Sequence, residues 1–152
     1  LQKLEPGFLP LPIFLQVTRL TTTAIIEFVP LRMREGKVEI LLTRRSADDP
    51  AWPSLLHTPG TVIRATDTLE SAFSRLQTEE LEGVDVSLPV FVKNVLHHSG
   101  RGLESSQVFW LEVLGEPKAG DFYPADDLPA DLAASQMDFI PAAIDAYRNR
   151  HN

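Results

Sequence analysis

The chain has 152 residues, an ordinary apolar fraction of 43% and a charged fraction of 23%, which suits one soluble folded domain rather than a disordered segment. Its net charge of −7, without large basic clusters, argues against binding a nucleic-acid polymer through its phosphates, though not against a small phosphorylated ligand met with the help of a cation. The absence of cysteine excludes disulfides, thiolate metal sites and a cysteine nucleophile.

Residues 1–20 read as an N-terminal extension. Their apolar run, LQKLEPGFLPLPIFLQV, is too short and too broken by proline to span a bilayer, and it lacks the basic start and cleavage site of a secretory signal. The cytoplasm is the default expectation. Thr21 to Val29 is β-branched and predicts a strand, Pro30 to Gly36 a connection, and Lys37 to Arg44 a second strand in a hairpin with the first. Ser46 to Thr58 reads as a loop rich in Asp and Pro, with Trp52 as an apolar anchor. A short extended piece follows over Thr61 to Arg64.

The clearest helix runs from about Thr68 to Leu81. Asp67 is the expected N-cap, with Glu70 three residues on, and Gly83 supplies a stop. Two strands are expected over Ser87 to Leu96 and Ser106 to Leu114, joined through HHSGRGLE. Asp121 to Pro129 then reads as a loop and Ser135 to Asn149 as a last helix. Strands on either side of a central helix predict a single mixed α/β domain over residues 1–152.

Leu69, Ala72, Phe73 and Leu76 form one apolar stripe on the central helix. At ~100° per residue Glu80 falls within that stripe, where an unpaired carboxylate is costly and a cation or arginine would compensate. Alternatively, the last turn emerges into solvent and leaves Glu80 free. Arg75 and Glu79, four residues apart, could be an ordinary surface pair.

The stretch PGTVIRATDTLESAFSRLQTEELEG, Pro59 to Gly83, resembles the Nudix box, G-x5-E-x7-R-E-U-x-E-E-x-G-U, where U is aliphatic. Thr61 falls on the opening glycine, Asp67 on the first glutamate and Arg75 on the arginine, while Glu79 and Glu80 match the closing glutamate pair. Leu76 stands where the box has a glutamate after the arginine, and Glu82 is an extra residue before Gly83. LLTRRS before the box, Trp52 ahead of Pro-Gly, and FYPADDLP from Phe122 to Pro129 are similar to segments that flank the box in that family.

The resemblance implies an α/β/α sandwich around a mixed sheet. It also implies hydrolysis of a nucleoside diphosphate linked to another moiety, using Mg²⁺ or Mn²⁺ held by helix carboxylates. Such hard cations take oxygen ligands, neutralise charge on a diphosphate and acidify bound water. Carried over residue by residue, Glu80 would be the main metal ligand, Glu79 a second, and the Gly60 carbonyl a third. Arg75 would orient a glutamate. Glu104 or His98, from the segment HHSGRGLESS, would be the base; a solvated hairpin loop is the plainer account of that segment.

Arg44 and Arg45 are candidates to bind phosphate, although adjacent strand residues face opposite ways. RLQTEELEG is also partly similar to the R-L-x-x-x-E-L-G box of the GDP-mannose mannosyl hydrolase branch, which suggests a nucleotide sugar. The loop GEPKAGD, however, has neither the glutamine nor the histidine that branch uses. The expected partner is a small nucleotide, with no membrane, and a homodimer is compatible with this reading. The competing expectation is a Nudix fold kept as a binding or regulatory module without catalysis.

Overall fold

A computed structural model describes residues 9–151. It adds an element to the extension: helix α1, Leu11–Thr18, with Pro12 in its first turn, where a missing N–H removes no helical bond. Among the described residues no helix is long and apolar enough to cross a membrane. The first eight residues of the N-terminal run lie outside the described residues.

The central strand β1, Thr23–Arg34, is longer than its sequence suggests, because Pro30 does not end it. The Phe28 N–H donates to the Pro59 carbonyl, so the nitrogen of Pro30, two residues on, faces the same side of the strand. There β1 leaves one neighbour, β4 (Gly60–Val62, paired with Ile25 to Glu27), for another, β2 (Lys37–Arg44, paired from Leu31 on). No ladder donor is needed in that gap, which is why a proline is tolerated in the middle of a sheet. Glu35 and Gly36, both at positive φ, close the β1–β2 hairpin tightly in place of the longer connection expected.

On its other side β1 pairs in parallel with β6, Gly102–Glu112, from Thr23 opposite Glu104 to Leu31 opposite Glu112. β6 pairs in turn with β5, Val90–Ser99, as a tight antiparallel hairpin. The short strands β3, Leu56–His57, and β7, Asp121–Pro124, pair with β2 in regions expected to be loops. A 3-10 turn over Ala134–Asp138 precedes the last helix, α3, Ile140–His151.

Alternation along β1 builds a core on each face. Val29 and Leu31 join Phe139, Ile140, Ile144 and Tyr147 of the α3 side. Ile26 and Phe28 join Ala72 and Leu76 of helix α2, Leu69–Glu79, on the other. The result is the expected α/β/α sandwich over a mixed sheet. Glu27 belongs to the α3-side set of β1, a carboxyl on an otherwise apolar strand face.

Helix α2 starts one residue later than expected. Thr68 is its N-cap and forms a capping box with Ser71, not Asp67 with Glu70. Asp67 instead accepts the Arg64 N–H and receives Arg75. Leu69, expected on the apolar stripe, is 45% exposed, whereas Ala72 and Leu76 are fully buried. Glu80 is the C-cap, and the Gly83 N–H reaches back to the Gln77 carbonyl to end the helix.

Candidate functional site

The helix residues separate once the fold places them. Arg75 donates to both carboxylate oxygens of Asp67, at 2.6 and 2.8 Å, and to the Val62 carbonyl at 2.8 Å. Its guanidinium therefore ties β4 to the start of α2 and holds the Asp67 carboxyl down at about 2. The carboxylate that it orients is Asp67, at the box's first glutamate position, and Glu79 acts on it only through charge. Glu79 is exposed. Glu80 is half-buried rather than free in solvent. Burial pushes its carboxyl above the usual range, with Arg45 opposing and Glu79 adding to the rise.

Arg45 leads from this helix end to a second group of charges that the sequence reading did not assemble. Its Nη1 donates to Asp49 at 2.9 Å, and its guanidinium lies over the Trp52 ring at 5.1 Å. Its Nε is buried without a partner. Arg101 lies 5.2 Å from the same ring, so Trp52 carries two guanidinium groups. The adjacent Arg44 turns outward to Asp131 and the Ser54 carbonyl. Of the two arginines expected to meet phosphate, only Arg45 lines a cavity described here.

Glu104 sits with this group because β5 and β6 meet in a tight turn, not in the long solvated loop expected. Only 2% exposed, it accepts from Arg101 Nε at 2.9 Å and contacts His97 Nε2 at 3.1 Å. His98, the next residue on β5, is exposed and faces the opposite side of the strand. The structure does not bring it to Glu104.

Glu27 lies at the centre of the group. Burial pushes its carboxyl up to about 8, with Arg45 and Arg101 opposing and Glu104 adding to the rise. Among the described residues its side chain accepts one hydrogen bond, from the Thr58 hydroxyl at 3.4 Å. The neighbouring His57 is driven down to about 4 by burial and by Arg45. The ring is therefore neutral at pH 7, held between the Thr58 carbonyl and the Thr43 hydroxyl.

Gly60 pairs with Glu27 across the β1–β4 ladder, and a Cβ there would lie 2.5 to 2.9 Å from the three carboxyl atoms. A Gly60→Ala variant is therefore expected to push the Glu27 carboxyl, the movable end of a side chain, out of its seat, at a cost of about 1 kcal/mol. Urea unfolding of a double-mutant cycle checks this: in a Glu27→Ala background the cost should vanish, and an unchanged cost would place the strain elsewhere.

Glu27, Arg45 and Arg101 line two cavities. One is a polar void of about 20 Å³, room for a single water, bounded also by His57, His97 and Glu104. The other is an open cavity of about 790 Å³ between α1, the start of β1, and β4 with the connection after it. Sequence reading missed Glu27, His57 and Arg101, and of the histidine pair His97–His98 it preferred His98. The available signal was Glu27 itself, a lone carboxylate in TAIIEFV.

No protein-family model matches the chain, and no curated protein matches it in sequence. The solved structures do. The Nudix domain of Shewanella oneidensis NrtR, complexed with ADP ribose, superposes with a TM-score of 0.67 at 17% identity, over 84% of this chain and 89% of that one. A mutT/nudix family protein from Listeria innocua gives 0.65 at 18%, over 86% and 98%. The Caenorhabditis elegans Ap4A hydrolase gives 0.64 at 14%, over 84% and 99%. The chain has the Nudix fold.

On the helix that resembles the box, one position differs from the pattern in a way that the fold explains. Leu76 is fully buried in the α2-side core, so the missing glutamate is replaced by packing. Among the described residues no group of three or more His, Asp or Glu side chains is placed to hold a metal ion. A resident cluster of several helix carboxylates does not fit these residues. Glu80, half-buried at the helix end, and the exposed Glu79 beside it would have to hold a single hard cation that completes its shell with water and ligand phosphate, the usual manner of Mg²⁺.

Proposed function

We propose that this Nudix-fold domain is a divalent-cation-dependent hydrolase of a nucleoside diphosphate linked to another moiety. The observation that carries the reading is the half-buried Glu80 carboxylate at the end of α2, coupled by charge to Arg45, which lines the 790 Å³ cavity. Glu80, with Glu79 and the Gly60 carbonyl, would hold Mg²⁺ or Mn²⁺. The bound cation would neutralise diphosphate charge and make attacking water more acidic. Arg45 and Arg101 supply fixed positive charge to the cavity lining, and Trp52 holds both guanidinium groups in place. The NrtR Nudix domain holds ADP ribose, a ligand of the proposed class.

Turnover of nucleotide sugars, dinucleotides and nucleoside triphosphates with Mg²⁺ and Mn²⁺ tests the proposal. Glu80→Gln should lower turnover of any accepted substrate by about 10²-fold or more, the scale on which a lost charge-stabilising group acts. Unchanged turnover in that variant would falsify the assignment of Glu80.

A second reading, a binding module without catalysis, is favoured by one observation: Leu76 is built into the core where the box has a carboxylate. Calorimetry separates the two. Nucleotide binding that ignores Mn²⁺, with no turnover across the panel, belongs to the module. Metal-linked binding with turnover belongs to the hydrolase.

A further inference from the structure

We infer that helix α1 builds a nucleobase subsite, so that the ligand enters the large cavity with its planar base against α1 and its diphosphate toward Arg45 and Arg101. The inference rests on the hydrolase reading only for the ligand class; its own support is the make-up of the cavity walls.

Leu11, Phe14 and Val17 recur at three-residue spacing and line the cavity from α1. Ile25 of β1 and Ile63, after β4, line it as well. Leu11 and Val17 remain 57% and 38% exposed, so apolar surface of α1 is left uncovered. Arg45 and Arg101 line the same cavity.

A volume of about 790 Å³ lies within the ~300–1,000 Å³ of small-molecule sites, which combine apolar walls with a few placed polar groups. A sugar against α1 would need a partner for each hydroxyl, whereas Leu11, Phe14 and Val17 offer only hydrocarbon; the hydroxyls of the lining belong to Thr18, to Thr21–Thr23 and to Thr61. The Thr21 hydroxyl, nearby, already donates to the Val17 carbonyl. A planar base buries both faces against such walls and keeps its polar edge free, and an aromatic ring such as Phe14 can stack on it.

The end of α1 is also fixed rather than loosely attached. Thr18 is buried, and a side chain at Gly102 would run into the Thr18 carbonyl. Gly102 has a φ of +139° and opens β6 next to Arg101, so the turn that carries Arg101 also seats α1. The apolar wall of α1 and the cationic Arg101 are thereby held in one arrangement.

Calorimetry of the full chain with ADP and with inorganic diphosphate, each with Mg²⁺, tests the inference. ADP should bind more tightly than diphosphate. Phe14→Ala should weaken ADP about tenfold, the worth of one lost base–aromatic stack, and leave diphosphate unchanged. Val17→Glu, at a partly exposed position, should show the same selective loss. Equal affinities for the two probes in the parent chain, or ADP binding untouched by both variants, would overturn the subsite and leave the hydrolase reading standing. A parent chain that binds neither probe would overturn that reading and the subsite together.

Discussion

A Glu27→Gln variant is expected to be more stable than the parent chain above neutral pH and to show a flatter dependence of stability on pH. The carboxyl titrates near 4.5 when unfolded and at about 8 when folded, because burial penalises its charged form. The folded chain therefore keeps a proton that the unfolded chain releases. This group's contribution is fully present below pH 4.5, shrinks as the pH rises, and is lost by the time the pH passes 8. The slope approaches ~1.4 kcal/mol per pH unit within that window, and the whole effect is on the order of a few kcal/mol.

Glutamine keeps the shape and carries no charge, so the difference between the two unfolding curves should widen from pH 5 to pH 8. Urea unfolding across that range is the measurement. Parallel curves would show that Glu27 is solvated and charged in the folded chain. The protonated form also has a consequence for the site. It keeps one more negative charge out of the cavity lining that Glu27 shares with Arg45 and Arg101.

Restoring the missing box residue should damage the protein rather than repair it. Leu76 is fully buried in the cluster that includes Ile26, Phe28, Leu41 and Leu111. A Leu76→Glu variant loses that burial and places a carboxyl where no described donor waits for it. The expected cost is about 4 kcal/mol or more, the range of large core truncations and unpaired buried polar groups. No gain in Mn²⁺ affinity should accompany it. Denaturation of the variant together with a Mn²⁺ titration decides the matter. A variant within about 1 kcal/mol of the parent chain that acquires a metal site would mean that position 76 can turn toward Glu79 and Glu80.

The two substitutions bracket the site. Leu76 continues the apolar stripe of α2 where the box has a carboxylate, while Glu27 puts a carboxyl on an apolar face of β1. Leu76 could be read from its spacing because helix periodicity is local. Glu27 could have been suspected, since one acid interrupts a β-branched strand, but its partners could not be named. Arg45 follows β2, Trp52 lies in the next loop, Arg101 is in the β5–β6 turn and Glu104 is on β6. Only the parallel pairing of β1 with β6, and the splitting of β1 between β4 and β2, bring them to one place.

The box helix shows the same division. Residue order from Pro59 to Gly83 determined its type, its approximate extent and the neighbouring Glu79 and Glu80, because capping and periodicity act within a few residues. Its surroundings also carried the sandwich architecture, through alternating strand patterns and their order along the chain. Tertiary structure alone decided that Arg75 serves Asp67, that Glu79 is exposed while Glu80 is half-buried, and that Glu104 leaves solvent. It also decided that α1 walls a cavity. Burial and long-range pairing set each of those outcomes, and neither is encoded in the spacing of neighbouring residues.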